Sequence, residues 1–210
     1  MHRDRTSTDR SPWFDLFPRS SRRSVPTGGS LYKVGDPVYH VFVIESGIVA
    51  ELRHDDGHTH VSCLCHPGML VGVRWVGTTD HVHAVEAMAL SELLLRTVPY
   101  EVYLRATRED GRYTSAALSD MSKRVNSARR LSDCLDQPST RDHVMSVLHA
   151  IADEYPANDH ALMLAAVPTT ILQRLTGCPI TALRSAVSEL VAAGHLNTDA
   201  HGIKLPVAEQ

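Results

Sequence analysis

The sequence predicts an α+β protein in which an antiparallel β domain is followed by a long helix and a small helical domain. Short apolar runs separated by turn residues fill residues 25–110, a helical repeat covers residues 111–137, and two short helical patterns flank a glycine within residues 138–210. Residues 1–24 carry six arginines and show little periodicity. They predict a mobile N-terminal tail, in which the apolar segment from Trp13 to Phe17 docks on the body.

The β prediction rests on six apolar runs of five to seven residues, each closed by residues that favour turns. Glycine, aspartate and proline cluster between the runs, as in Gly35-Asp36-Pro37 and Pro67-Gly68. Many short strands at this spacing are typical of a sandwich or barrel. The runs cover residues 39–44, 48–52, 60–64, 69–73, 82–88 and 93–98.

The long helical pattern carries an apolar stripe whose members are three or four residues apart. This spacing is close to the heptad that pairs two helices, so the stripe predicts a dimer formed by two copies of the helix. The pattern alone also allows an amphipathic helix that lies on its own β domain. The stripe consists of Leu118, Met121, Val125, Ala128, Leu131 and Leu135.

The C-terminal pattern predicts two helices joined by a tight turn and followed by a hairpin. Ile171, Leu172 and Leu175 have helical spacing, and the pattern breaks at residues 176–179. Pro179 is suited to the first turn of a second helix, which closes near Gly194. The next residues, GHLNTDAHGIKL, place two β-compatible stretches around turn-forming residues.

Glycine-bounded strands, a long helix, a helix-turn-helix and a short hairpin, in this order, resemble the CRP/FNR family of bacterial transcription regulators. The resemblance spans Ser30 to Pro206. It implies a cyclic-nucleotide-binding-like jelly roll, a dimerisation helix and a C-terminal winged helix-turn-helix. It further implies a cytoplasmic homodimer that binds an inverted repeat in double-stranded DNA, contacts RNA polymerase and has neither a membrane span nor an enzymatic activity.

The second helix of the helix-turn-helix supplies candidate DNA-reading residues. Family members typically read base edges with a Glu and one or two Arg early in this helix, whereas here Ile180, Thr181 and Ser185 stand in those places and Arg184 is shifted by one. Arginine to guanine is the commonest specific contact, and Thr or an apolar group can meet a thymine methyl. Phosphate contacts are expected at the start of the first helix and in the hairpin. The full candidate set is Thr169, Thr170, Ile180, Thr181, Arg184, Ser185, Ser188 and Lys204.

The charge of this region predicts weak non-specific binding to DNA. Residues 138–210 hold four basic and seven acidic side chains, and the formal net charge of the chain is −3. Affinity for the phosphate backbone depends on Lys and Arg, so few basic residues mean little sequence-independent affinity.

The candidate effector pocket departs from the pattern of cyclic-nucleotide-binding relatives. Gly72 matches, but Val73 stands where those relatives have the Glu for the ribose, His81 where they have the Arg for the phosphate, and Val82 where they have a Ser or Thr. A bound phosphate needs the bidentate cationic donor that is missing here. Cyclic nucleotides are therefore not the expected effector, and the pocket either takes a less anionic molecule or is vestigial.

Histidines and cysteines in the β domain raise a metal or haem alternative. His58 and His60, His81 and His83, and Cys63 and Cys65 are spaced two apart and share strand faces, and such ligands suit zinc, copper or haem iron. His58 and His60 follow a turn expected to be exposed, however, and the four cysteines are interpreted as reduced thiols. No cofactor or metal is therefore assigned.

Other function classes have weaker support in the sequence. It contains no GxSxG, P-loop or HExxH motif, and no apolar run approaches the ~20 residues of a membrane helix. A jelly roll also occurs in cupins. The alternative function is therefore a cupin-like metal or ligand-binding protein whose helical domain does not bind DNA.

Overall fold

A computed structural model describes residues 11–55, 58–73, 81–135, 137–153, 169–199 and 202–204. The N-terminal part contains helix α1 (Trp13–Leu16), a 3-10 turn (Arg19–Ser21) and strands β1 (Arg22–Val25), β2 (Ser30–Tyr32), β3 (His40–Ser46), β4 (Val49–Asp55), β5 (His58–Cys65), β6 (Leu70–Val71), β7 (Glu86–Ala89) and β8 (Leu93–Pro99). Helices α2 (Tyr100–Glu109), α3 (Gly111–Leu135), α4 (Thr140–Asp153), α5 (Thr169–Thr176) and α6 (Ile180–Ala192) follow, then strands β9 (Asn197–Asp199) and β10 (Gly202–Lys204).

The β domain is a sandwich of two four-stranded antiparallel sheets, ordered β1-β8-β3-β6 and β2-β7-β4-β5. Strands β3 to β8 coincide with the six predicted apolar runs to within a few residues at each end. Strands β1 and β2 add one edge to each sheet. The sandwich and the antiparallel pairing predicted from the sequence are therefore confirmed.

The two faces of the second sheet carry different side chains. Along β4, Val49 belongs to the core between the sheets, whereas Ala50 and Leu52 belong to a second core shared with the helices. The same alternation places Cys63 and Cys65 of β5 between the sheets and Leu64 on the helical side. This is the two-residue period of a strand that is covered on both faces.

The N-terminal segment is more ordered than the prediction of a mobile tail over residues 1–24. The side chains of Trp13 and Phe17 are fully buried, and Trp13 Nε1 donates a hydrogen bond to Asp120 Oδ2 at 3.0 Å. Arg22 to Val25 pair with β8 as an edge strand. The predicted docking of the apolar segment is therefore confirmed, but the tail boundary at residue 24 is wrong, since burial of two large aromatic side chains fixes residues 11–24 on the body. Residues 1–10 lie outside the described residues.

Helix α3 has one polar inward face and one exposed apolar stripe. Leu118, Met121 and Val125 are 60%, 44% and 54% exposed, and Ala128 is exposed beside them. Leu131 departs from the predicted stripe, because it is 6% exposed and packs in the helical core. Two successive three-residue steps, 125 to 128 and 128 to 131, rotate position 131 towards the body. The side chain of Leu135 lies outside the described part of the chain.

The C-terminal helices form the predicted helix, turn and helix. Gly177, at φ 65°, provides the left-handed turn between α5 and α6, and Pro179 directly precedes α6. The two short strands pair in the register Ile203 to Thr198, which confirms the predicted hairpin. One core joins these elements through Leu172, Leu175, Leu183, Leu190, Leu196 and Ile203.

The helices cover the outer face of the second sheet. Both α3 and α5 pack on β5, and residues of the sheet such as Leu64 and Met88 share one core with Leu172 and Leu175. One face of the second sheet therefore lines the space between the sheets, and its other face contacts the C-terminal helices. None of the helices in the described ranges combines the length and the hydropathy that crossing a bilayer requires.

Candidate functional site

Five polar or thiol side chains meet in the space between the two sheets, and they are called here the inter-sheet cluster. They come from β2, β4, β5 and α3, which places them at the end of the sandwich that α3 covers. The members are Tyr32, Glu51, Cys63, Cys65 and Arg124. Such groups are buried only when they satisfy one another, so the contacts within the cluster define what it can do.

An ion pair between a strand and the long helix stands at the centre of the cluster. Arg124 Nη1 donates to Glu51 Oε2 at 2.6 Å, and Arg124 Nη2 donates to the carbonyl oxygen of Leu70. Burial acts to lower the pKa of Arg124, but the neighbouring Cys65 and Glu51 outweigh it and hold that pKa well above the ordinary value. Arg124 is therefore a permanent positive charge inside the fold, and Glu51 is its counter-ion.

The two cysteines lie side by side beneath this pair. Cys63 and Cys65 belong to the same strand, and their Sγ atoms are 3.7 Å apart. Cys63 lies directly across from Glu51 in the β4–β5 register, which explains why the carboxylate reaches the thiols. The hydrogen bond with Cys63 and burial together raise the pKa of Cys65 well above its ordinary value, so this sulfur is a thiol at neutral pH. No disulfide joins the cysteines in the described chain.

Tyr32 separates the cluster from a surface cleft. Its hydroxyl donates to Glu51 Oε1 at 3.4 Å and accepts the backbone N–H of Gly72 at 3.1 Å. Its ring stacks on His83, with ring centroids 3.6 Å apart. Both rings line a cleft of about 260 Å³, whose other walls include Arg23, Leu31, Asp36, Pro37, Tyr39, His40 and Phe42. Burial raises the pKa of Tyr32 and lowers that of His83, so both side chains are neutral in this position.

The predicted effector residues are only partly brought together. Gly72 is buried and bonded to Tyr32, as expected of a pocket residue. Val73, by contrast, packs in the core on the far side of the first sheet, with Trp13 and Tyr113. His81 and Val82 are exposed, and the neighbouring His83 is the residue that turns inwards. Val73 therefore does not line the space between the sheets, and the assignment of His81 and Val82 to an effector pocket stays a prediction.

Four of the eight candidate DNA-contacting residues form one surface on α6. Thr181, Arg184, Ser185 and Ser188 are all exposed, and their spacing of three and four residues puts them on one face of the helix. Ile180 is half buried against the helical core, so it presents less surface than the sequence suggested. Thr169 is half buried and Thr170 exposed at the start of α5, and Lys204 lies in β10 with its side chain outside the described part.

Arg174 ties α5 to the β domain. Its Nη2 lies 2.6 Å from Glu86 Oε2, and its Nη1 donates to Met88 Sδ at 3.0 Å. The same Glu86 oxygen lies 3.1 Å from His54 Nε2. The Glu86 carboxylate of β7 thus contacts both His54 on β4 and Arg174 on α5, the first helix of the helix-turn-helix.

Comparisons with known proteins match this geometry at the level of the domain and the fold. Residues 22–110 match the family model described as the cyclic nucleotide-binding domain. No curated protein sequence matches the chain. The family match covers the two sheets and α2, which is the part of the chain that contains most of the inter-sheet cluster.

Solved structures share the architecture along most of the chain. The c-di-GMP-responsive global regulator CLP of Xanthomonas campestris is 21% identical, with a TM-score of 0.70 over 89% of this chain and 94% of that one. FixK2 of Bradyrhizobium japonicum is 17% identical, with a TM-score of 0.68 over 89% and 92%. A CRP-family transcriptional regulator of Thermus thermophilus is 13% identical, with a TM-score of 0.66 over 87% and 91%. The chain therefore has the fold of CRP/FNR-type regulators, and the resemblance predicted from its sequence is confirmed.

Proposed function

We propose that this protein is a DNA-binding transcription regulator of the CRP/FNR type, which acts as a homodimer on an inverted repeat and contacts RNA polymerase. In this proposal residues 11–110 form the effector domain, residues 111–137 the dimerisation helix and residues 138–210 a winged helix-turn-helix. The observation that carries it is the exposed face of α6, where Thr181, Arg184, Ser185 and Ser188 lie together on the helix that follows the Gly177 turn. A helix presented in this way suits the major groove.

The apolar stripe on α3 supports the homodimer. Leu118, Met121 and Val125 are exposed on a 25-residue helix, although each has an apolar side chain that water solvates poorly. A second copy of the helix would cover them in the manner of a coiled coil. Two recognition helices would then face two half-sites about one DNA turn apart, which is why an inverted repeat is proposed.

The effector in this proposal is not a cyclic nucleotide. The position expected to hold the phosphate-binding Arg carries His81, which is exposed, and the position of the ribose-binding Glu carries Val73, which packs in another core. The charged group that does enter the space between the sheets is Arg124, and Glu51 already neutralises it. Arg124 is therefore not a free cation that could bind a cyclic phosphate.

Selection of bound sequences from random double-stranded DNA tests the proposal. We expect an enriched inverted repeat at low salt, because the acidic C-terminal region gives little non-specific affinity. Arg184→Ala is expected to cost about 1 to 3 kcal/mol on that repeat and to relax the preference at one base pair of each half-site. Arg105→Ala, which removes an exposed arginine of α2, is the matched control and should bind as the wild type does. Failure to enrich any repeat, or equal binding by Arg184→Ala, would contradict the proposal.

A further inference from the structure

The two sulfurs of the inter-sheet cluster are spaced like two ligands of one tetrahedral metal ion. Zinc binds cysteine sulfur at about 2.3 Å, and two sulfurs at that distance and at the tetrahedral angle lie about 3.8 Å apart. The Sγ atoms of Cys63 and Cys65 are 3.7 Å apart. Both sulfurs can therefore bind the same ion with little movement of β5.

Glu51 provides a third ligand in reach of the same point. One carboxylate oxygen of Glu51 and the two sulfurs all lie within 4.8 Å of one another, and all three residues are buried. Arg124 occupies Oε2, whereas among the described residues Oε1 has only the 3.4 Å contact with the Tyr32 hydroxyl, which is long for a hydrogen bond. This leaves Oε1 available to an ion. The bond from Arg124 to Oε2 orients the carboxylate, as the hydrogen-bond partners of metal-binding residues commonly do.

The charges of the cluster select a divalent ion. Before binding, Glu51 and Arg124 neutralise each other. Each thiol releases one proton to solvent when its sulfur binds the metal, so a divalent cation replaces two protons and the net charge of the cluster does not change. A monovalent or trivalent ion would leave one uncompensated charge in a buried space, which is costly.

From these three observations we propose that Glu51, Cys63 and Cys65 form a binding site for one divalent metal ion of the zinc class. Two thiolates and one carboxylate suit a borderline-soft ion, in preference to calcium or magnesium, which take oxygen ligands. Three protein ligands leave a fourth position open, and the Tyr32 hydroxyl is the group next to Glu51 on that side. The ion would enter from the cleft that Tyr32 and His83 line.

Metal binding at this site would also affect DNA binding, an inference that rests on the proposed function. Glu51 is bonded through Oε2 to Arg124 of α3, the helix proposed to form the dimer, so an ion bound at Oε1 alters the charge of the carboxylate that holds this helix. Metal occupancy would then act on the dimer helix and on DNA binding, and the metal would be the effector or part of it.

Titration of the full-length protein with Co²⁺ tests the site without DNA. Protein stripped with a chelator, with its thiols first shown to be reduced, should take up one equivalent of Co²⁺. Uptake should produce thiolate-to-cobalt charge-transfer absorption in the near ultraviolet and the intense visible bands of tetrahedral Co²⁺, and Zn²⁺ should remove both. Cys63→Ser and Cys65→Ser should each abolish the charge-transfer absorption that is characteristic of two bound thiolates, because only one thiolate remains. Glu51→Gln should weaken Co²⁺ binding about 10-fold or more.

Cys134→Ser is the matched control, because Cys134 is also a buried free thiol but lies on α3 in the helical core. It should bind Co²⁺ with wild-type affinity and spectrum. The proposal is overturned if the wild-type protein takes up no Co²⁺, or if Cys63→Ser and Cys65→Ser bind it as the wild type does. The wild-type result stands even where a variant folds poorly. DNA binding is measured separately, with and without Zn²⁺, so the failure of either proposal is recognised independently of the other.

Discussion

At the scale of single residues, Arg124 determines how the interior of the sandwich is organised. Its guanidinium bonds both to Glu51 on β4 and to the carbonyl of Leu70 on β6. It therefore joins the long helix to strands of both sheets. Removing one partner of such a buried ion pair costs more stability than the intact pair contributes, because the remaining charge stays buried without a counter-ion.

Replacement of Arg124 by Met is therefore expected to destabilise the protein strongly. The aliphatic chain fills similar volume, but the Glu51 carboxylate remains buried without its counter-ion, at a cost of about 3 to 5 kcal/mol. Chemical denaturation measures the free energy of unfolding. Arg129→Met, at an exposed position of the same helix, should change it by no more than about 0.5 kcal/mol. Similar effects of the two variants would show that the Glu51–Arg124 pair does not hold α3 on the sandwich.

His143 makes the stability of the helical domain sensitive to acid. It lies on α4 with Nε2 buried and unbonded in the described structure, and its Nδ1 is 3.9 Å from Cys178 Sγ in the α5–α6 turn. Burial lowers the pKa of His143 below 6.5. The folded state then binds the proton less well than the unfolded state, so the contribution to stability is present above about pH 6.5 and is lost as pH falls through the lower, folded pKa.

His143→Leu should remove this pH dependence. The free energy of unfolding of the wild type should fall more steeply than that of the variant as the pH drops below about 6.5, measured by denaturation at a series of pH values. His195→Leu is the control, since His195 is exposed. Parallel pH profiles for the wild type and His143→Leu would contradict the assignment.

At the scale of elements, α3 has two faces with different surroundings. Asp120, Arg124 and Ser127 face the sandwich and bond to it, whereas Leu118, Met121 and Val125 face outwards. The inward residues fix the rotation of the helix. The outward stripe is then held in one orientation, as the proposed homodimer requires.

Leu118→Glu is expected to break the proposed homodimer. A carboxylate on each copy at a helix pairing surface would meet its own like charge and lose apolar contact, while the folded monomer should tolerate it because the side chain is 60% exposed. Sedimentation velocity should show a shift from dimer to monomer. Val102→Glu, at an exposed apolar position of α2, should leave the dimer intact. A dimer that survives Leu118→Glu would place its interface elsewhere.

The elements that the sequence predicted are those with local signals. Strands β3 to β8 follow from apolar runs between turns, and the α5–α6 turn follows from Gly177 and Pro179. Strand β1 was missed because RRSV is polar and becomes a strand only by pairing with β8. The sequence did not predict the inter-sheet cluster, because its residues, which are spread from Tyr32 to Arg124, follow no periodic pattern along the chain. Only the β4–β5 register brings Glu51 to Cys63, and only the rotation of α3 brings Arg124 to both.

At the scale of the whole molecule, one sheet separates the inter-sheet cluster from the C-terminal helices. Its inner face carries Glu51, Cys63 and Cys65, and its outer face carries Leu64 and Met88 in the core shared with α5. Strands β4 and β5 therefore contact the cluster on one face and the core shared with α5 on the other. The Glu86 carboxylate reinforces this contact by bridging His54 and Arg174.

Arg174→Gln is expected to loosen the C-terminal helices from the sheet without unfolding the sandwich. The change removes a charged partner of Glu86 but leaves His54 in place, and Arg174 is 38% exposed, so the loss should be about 1 kcal/mol or less. Hydrogen exchange should then accelerate in α5 and α6 while amides of β3 and β8 keep their protection, because those strands belong to the other sheet. Arg184→Gln removes an exposed arginine one helix later and should leave the exchange of α5 unchanged. Equal protection of α5 in wild type and Arg174→Gln would mean that the apolar core alone holds the helices on the sheet and that the Glu86 bridge contributes nothing to it.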